Sequence, residues 1–120
     1  MTVAEAIKIL DGQFFCGEEK AGLEISSACG ADLMSDVMAF VKEERGMLLT
    51  GLVNPQVIRT AELLDIYCVI FVRGKVPSRE MIEMAEQSDI ILGGSKLSMF
   101  LACGKIYEAG LTSGGNRAIN

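Results

Sequence analysis

The sequence predicts an α/β fold, a three-layer domain with a mainly parallel sheet built from successive βα units. Between Gly46 and Gly110, the sequence repeats one pattern three times. Each copy is a short apolar run, followed by a glycine turn, a helix-capping residue and an amphipathic helix. Strands that alternate with helices of this length are typical of a parallel sheet covered by helices. The length of 120 residues suits one domain around one core, which we place at residues 1–111. The small, polar residues 112–120 are predicted to form a flexible tail.

Two helices and two short strands are predicted before these units, in the order helix, strand, strand, helix, over residues 3–10, 13–16, 23–29 and 33–44. The first helix has a capping-box pattern at Thr2 and Glu5, and Gly12 follows as a stop. The second helix has apolar side chains at the spacing of one helical face: Leu33, Met34, Val37, Met38 and Val41.

The three βα units follow in order. Their predicted strands are the apolar runs 47–50, 67–72 and 90–92. Their predicted turns contain Gly51, Gly74 and the pair Gly93-Gly94. Their predicted helix caps are Asn54, Ser78 and Ser98. Parallel sheets of this kind bind ligands in the loops beyond the carboxyl ends of their strands, so these loops are where we expect a binding site.

The last helix, from Met99 to Ala109, differs from the others because only Lys105 and Glu108 in it are charged. A helix that is apolar nearly all round has little surface to offer to water. We therefore expect it to form the interface of a homodimer. Burial of this helix inside the domain core is the alternative.

Composition excludes several classes of protein. The net charge of −5 argues against nucleic-acid binding, which usually needs a basic face. The apolar runs, such as residues 67–72, are all far shorter than the roughly 20 residues of a membrane-spanning helix. The chain has no histidine and no CxxC pair, so neither a metal site nor a cofactor is predicted. The four cysteines are expected to be reduced thiols in a cytoplasmic protein, since the N-terminus lacks the pattern of a secretory signal.

Three ordered blocks resemble the DRTGG domain family. They are residues 30–38, then residues 49–51 with Asn54-Pro55, and then residues 69–74 followed by Pro77, Glu80, Ala85-Glu86 and residues 106–111. The resemblance extends over residues 11–111. The chain departs from the family pattern at Val72-Arg73-Gly74, where the family has Thr-Gly-Gly.

The resemblance implies a regulatory, ligand-sensing or assembly role without catalysis, often through dimer contacts. Such domains occur in HPr kinase/phosphorylase, in long phosphate acetyltransferases and in CBS-domain pyrophosphatases, where other domains carry the chemistry. The chain also resembles small stand-alone DRTGG proteins found near iron-hydrogenase genes.

The loops that follow the predicted strands supply a candidate anion site. Basic side chains adjoin glycines and helix starts there, an arrangement that favours phosphate. We expect a nucleotide or another phosphorylated small molecule to bind at Gly51, Asn54, Arg73, Gly74, Lys75, Gly93, Gly94, Ser95 and Lys96. The cations would bind the phosphate, and Asn54 and Ser95 would add neutral hydrogen bonds. The alternative is that these polar side chains simply face solvent.

Two other functions stay open. The chain could be an adaptor that docks on a larger enzyme without a ligand. It could also be a small metal-assisted enzyme for phosphoryl or acyl chemistry, with Asp32 and Asp36 four residues apart on one helical face. We expect no catalytic residues, because the chain lacks a histidine base, a P-loop and a nucleophile–base pair. The commoner explanation of two such aspartates is that they are helix-start carboxylates, which complement the helix dipole.

Overall fold

The computed structural model describes residues 1–41 and 45–114. Its elements, in chain order, are α1 (Val3–Ile9), β1 (Gln13–Cys16), β2 (Ser27–Gly30), α2 (Met34–Phe40), β3 (Gly46–Thr50), α3 (Pro55–Leu63), β4 (Ile66–Phe71), α4 (Arg79–Gln87), β5 (Ile91–Gly94) and α5 (Met99–Glu108). A short 3₁₀ turn, Glu18–Lys20, follows β1.

The strands form one sheet in the order β1-β5-β4-β3-β2. Strands β2 to β5 pair in parallel, and β1 pairs antiparallel with β5. Helices α2, α3 and α4 bury their apolar side chains on one face of the sheet, and α1 and α5 on the other. The three-layer α/β architecture with a mainly parallel sheet is therefore confirmed.

The helix starts agree with the sequence patterns. The Thr2 hydroxyl accepts a hydrogen bond from the Glu5 amide at 3.1 Å, which completes the capping box of α1. Asn54, Ser78 and Ser98 each cap the helix that follows with a side-chain oxygen. Each cap satisfies an amide that would otherwise lack a partner at the helix start.

Two predicted boundaries that lie before β3 are wrong. The helix predicted over residues 33–44 ends at Phe40, because Val41 has an extended backbone that takes the chain toward β3; residues 42–44 lie outside the described part. The strand predicted over residues 23–29 begins only at Ser27. Before it, Glu24 bridges to Thr2 and the Ile25 amide donates to the Met1 carbonyl, so this segment pairs with the N-terminus rather than with the sheet.

The C-terminal helix α5 is only partly buried. Ala102 and Ile106 contact the core, whereas Phe100 and Tyr107 are 85% and 63% exposed. Beyond it, the Ser113 carbonyl accepts a hydrogen bond from the Ala28 amide of β2. The first residues of the predicted tail thus lie along an edge strand, and residues 115–120 lie outside the described part.

The cysteines differ in their burial. Cys16 and Cys68 are buried, whereas Cys29 and Cys103 are half-buried. Burial raises the pKa of the Cys16, Cys68 and Cys103 thiols, so these side chains stay protonated and weakly nucleophilic at neutral pH.

No helix among the residues described is long and apolar enough to cross a membrane.

Candidate functional site

The candidate site lies at one edge of the sheet. Strands β2 to β5 run in parallel, so their carboxyl ends share this edge. Strand β1 runs the opposite way and pairs Gln13 with Gly94. The start of β1 therefore lies beside the end of β5, which brings residues 11–13 to the loops that follow β4 and β5.

A cavity of about 360 Å³ opens at this point. It is lined by Asp11, Gly12, Gln13, Phe15, Gly74, Lys75, Gly94, Ser95 and Lys96. Five of these residues were predicted from the sequence, namely Gly74, Lys75, Gly94, Ser95 and Lys96. The first four come from the other end of the chain and were not predicted.

Lys75 and Lys96 are the cations of this cavity. Within residues 1–41 and 45–114, neither ammonium group forms an ion pair with an acidic side chain. Asp11 also lines the cavity, so its walls carry one carboxylate and two ammonium groups. The net charge of the lining is therefore positive in a chain whose net charge is −5.

Hydrogen bonds between two loops place these lysines together. The Gly74 amide donates to the Ser95 carbonyl at 2.9 Å, and the Arg73 amide donates to the Leu97 carbonyl at 2.8 Å. Gly74 has a φ of 71°, a left-handed conformation that glycine adopts without strain. The loop after β4 is thereby held against the loop after β5.

The Ser95 side chain has a structural role. Its hydroxyl donates to the Leu10 carbonyl at 2.7 Å and accepts from the Leu97 amide at 3.2 Å. The hydroxyl proton thus links β5 to the end of α1, although Ser95 lines the cavity as predicted.

Gly93 and Gly94 are strand residues, not the turn that the sequence predicted. Both belong to β5 and pair with β4 on one side and β1 on the other. A Cβ on Gly93 would lie 2.5 Å from Ile7 Cδ1, and one on Gly94 would lie 2.6 Å from Phe15 Cε2. Glycine is needed here because neighbouring side chains occupy the space directly above the strand.

Arg73 and Gly51 lie elsewhere along the same edge. The Arg73 guanidinium forms an ion pair with Asp32 (Nη2–Oδ2 3.3 Å), and both side chains are about half exposed. The other carboxylate oxygen of Asp32 accepts the Gly51 amide at 2.7 Å. A Cβ on Gly51 would collide with the guanidinium. Arg73 therefore does not line the cavity that contains the two lysines.

The backbone at Arg73-Gly74, where the chain departs from the family pattern, favours glycine over arginine. Arg73 has a φ of 60° and Gly74 a φ of 71°. Both positions are left-handed, which favours the two glycines that the family has there. The chain keeps this conformation at Arg73 despite the larger side chain.

Asn54 and the aspartates have local roles. Asn54 Oδ1 accepts the Gln56 amide at 2.8 Å as the cap of α3. Asp32 lies before α2, which begins at Met34, so it does not share a helical face with Asp36 as the sequence suggested. Across the described residues, no three His, Cys, Asp or Glu side chains are grouped to hold a metal ion.

The comparisons with known proteins identify the fold. No family model matches the chain, and no curated protein matches it. Among solved structures, it is similar to the CBS and DRTGG domains of the regulatory region of the pyrophosphatase of Clostridium perfringens, solved with the activator diadenosine tetraphosphate. The TM-score is 0.68 at 18% identity, and the match covers 88% of this chain.

This similarity shows the fold. The chain has the α/β fold of the solved region that contains a DRTGG domain, so the DRTGG-like fold predicted from the three sequence blocks is confirmed. The chain spans 45% of the solved chain it matches.

Proposed function

We propose that residues 1–111 form a non-catalytic regulatory domain that senses a phosphorylated small molecule, in particular a nucleotide. The observation that carries this proposal is the pair Lys75 and Lys96, which face one cavity without an acidic partner among the residues described. The similar pyrophosphatase region was solved with a nucleotide activator, which supports the same ligand class here.

The cavity has the chemistry for this ligand. Each ammonium group can form a charge-assisted hydrogen bond to phosphate worth roughly 1.5–3 kcal/mol before ordering costs. Two such bonds on exposed, flexible lysines suit micromolar rather than nanomolar affinity. A volume of about 360 Å³ is within the usual range of small-molecule sites.

Calorimetry of the purified chain with AMP, GMP and inorganic phosphate tests the proposal. The double variant Lys75→Ala/Lys96→Ala should weaken AMP binding about 100-fold, since each lost ammonium removes a charged bond. Both side chains are exposed, so the fold should persist. The matched control is Lys8→Ala/Arg59→Ala, which removes the same charge from exposed positions on α1 and α3.

Two outcomes would contradict the proposal. One is the absence of binding by the native chain across the panel, which would favour the adaptor function. The other is equal weakening by both double variants, which would mean that only the overall charge matters. AMP turnover by the native chain would instead favour an enzyme.

We also propose that the chain forms a homodimer through α5, to which a larger enzyme could dock. Phe100 and Tyr107 on this helix are 85% and 63% exposed, and burying such side chains is the usual source of interface stability. In sedimentation velocity at micromolar concentration, Phe100→Glu/Tyr107→Glu should convert a dimer to a monomer. Leu63→Glu is the control, because Leu63 on α3 is 71% exposed. A monomeric native chain would refute this interface.

We place the protein in the cytoplasm. Cys16 and Cys68 are buried thiols, which suit a reducing compartment. Alkylation in freshly broken cells under denaturing conditions that expose these thiols, followed by mass spectrometry, should find them reduced.

A further inference from the structure

Strand β1 contains an irregularity at the cavity. Gln13 pairs with Gly94 and Phe14 with Gly93, but the next pair joins Cys16 to Leu92. Phe15 is thus an extra residue without a partner in the register, which is the definition of a β-bulge. Bulges are known to redirect a side chain beside a binding site.

The bulge places Phe15 and Cys16 on the same face of the sheet. Phe14 packs with the cluster under α1 and α5, whereas Phe15 and Cys16 both pack with the cluster under α2, α3 and α4. In a regular strand, consecutive side chains alternate between the faces. The extra residue places two neighbouring side chains on one face, and the first of them, Phe15, also lines the cavity.

The Phe15 ring lies over Gly94 of β5, which has no side chain. A Cβ on Gly94 would be 2.6 Å from Cε2 and 2.9 Å from Cζ of this ring. The ring is half-buried and lies in the same cavity wall as Lys75 and Lys96. An aromatic surface is thereby fixed beside two cations.

The rest of the lining fits poorly with a bare anion. The Asp11 carboxylate would repel a free phosphate and the Phe15 ring would have no use in binding one, while the Gln13 amide has a carbonyl acceptor besides the N–H donors that a phosphate could use. These three groups suit the other end of a nucleotide. A carboxylate accepts hydrogen bonds from ribose hydroxyls, a carboxamide can both donate to and accept from a base edge, and an aromatic ring stacks on a base.

We infer that Phe15 and Gln13 form a nucleobase platform, so that the cavity recognises nucleotides and discriminates against phosphosugars without a base. This inference rests on the proposed function, because the lysines must hold the phosphate for the base to reach the ring. Phe15 would stack on the base and Gln13 would bind its edge.

The first test compares AMP with ribose 5-phosphate on the native chain by calorimetry. The two ligands share the phosphate and the ribose, so the difference in affinity measures the contribution of the base. AMP should bind roughly tenfold or more tightly, as base–aromatic stacking usually provides. Equal affinities would overturn the inference. This comparison needs no variant and hence no assumption about folding.

The second test removes the ring. Phe15→Leu should weaken AMP binding roughly tenfold and leave the affinity for ribose 5-phosphate unchanged. The matched control is Phe14→Leu, which removes a neighbouring ring on the opposite face of the sheet and should alter neither affinity. Unchanged AMP affinity in a folded Phe15→Leu variant, checked by circular dichroism, would overturn the inference.

Failure of the inference can be distinguished from failure of the proposed function. If AMP and ribose 5-phosphate bind with equal affinity, and Lys75→Ala/Lys96→Ala weakens both, the phosphate site stands and the nucleobase platform is wrong. If neither ligand binds the native chain at millimolar concentration, both proposals are wrong.

Discussion

Two basic sites lie at the same edge of the sheet, and they differ in what holds their cations. At the first, Arg73 is paired with Asp32, whose second oxygen binds the Gly51 amide. At the second, the two lysines face a cavity without an ion pair to any acidic side chain that the structure describes. A neutralised cation stabilises a loop, whereas cations that lack a partner remain available to an anionic ligand.

The two sites also differ in their glycines. Gly51 is close to the end of a long, half-exposed arginine, whereas a Cβ on Gly12 would lie 2.5 Å from the backbone carbonyl oxygen of Gly94. A side chain can move away, but the backbone of β5 is held between β1 and β4. The lysine cavity is thus the more rigid of the two sites.

The largest expected effect follows from this difference in rigidity. Gly12→Ala should lower the free energy of unfolding by about 1–3 kcal/mol through overpacking. Gly51→Ala should lower it by less than about 1 kcal/mol, since only a surface ion pair must yield. Urea denaturation of both variants measures the difference. A larger loss for Gly51→Ala would mean that the Arg73 site is the rigid one.

The next effect concerns the Asp32 carboxylate. Asp32→Ala leaves the amide of the buried Gly51 without its acceptor and should cost about 1–2 kcal/mol of stability. Arg73→Ala should cost less than about 1 kcal/mol, because the ion pair is half exposed. Asp36→Ala, at an exposed position in the first turn of α2, controls for the lost charge. If Arg73→Ala lowered the free energy of unfolding more than Asp32→Ala, the ion pair rather than the hydrogen bond to the Gly51 amide would hold the loop.

The smallest effect concerns the backbone of Arg73. Its φ of 60° is left-handed, which costs a non-glycine residue about 1 kcal/mol. Arg73→Gly and Arg73→Ala lose the same ion pair, so the glycine variant should be more stable by about that amount. Thermal melts of the two variants show the difference. Equal stability would mean that the left-handed conformation carries no strain here.

The sequence was informative where structure depends on neighbouring residues. The caps at Thr2, Asn54, Ser78 and Ser98 and the βα order follow from local patterns, and all were predicted. The Arg73-Gly74 turn was also correctly placed after a strand. These features involve residues that lie within a few positions of one another along the chain.

Features that depend on distant contacts were missed. The sequence offers no sign that β1 docks antiparallel beside β5, so Asp11, Gln13 and Phe15 were not assigned to the cavity. Gly93 and Gly94 were predicted as a turn, because the side chains of Ile7 and Phe15 that require them lie about 80 residues away in the chain. The Asp32–Arg73 pair is also non-local, 41 positions apart.

The central claim is that the ligand binds at the lysine cavity rather than at the Arg73–Asp32 site. Titration of ¹⁵N-labelled protein with AMP, followed by amide chemical shifts, tests it most directly. We expect the largest shifts at Gln13, Phe15, Lys75 and Lys96, with Asp32 and Gly51 little changed. Shifts centred on Gly51 and Arg73, with Gln13 and Lys96 unmoved, would contradict the account.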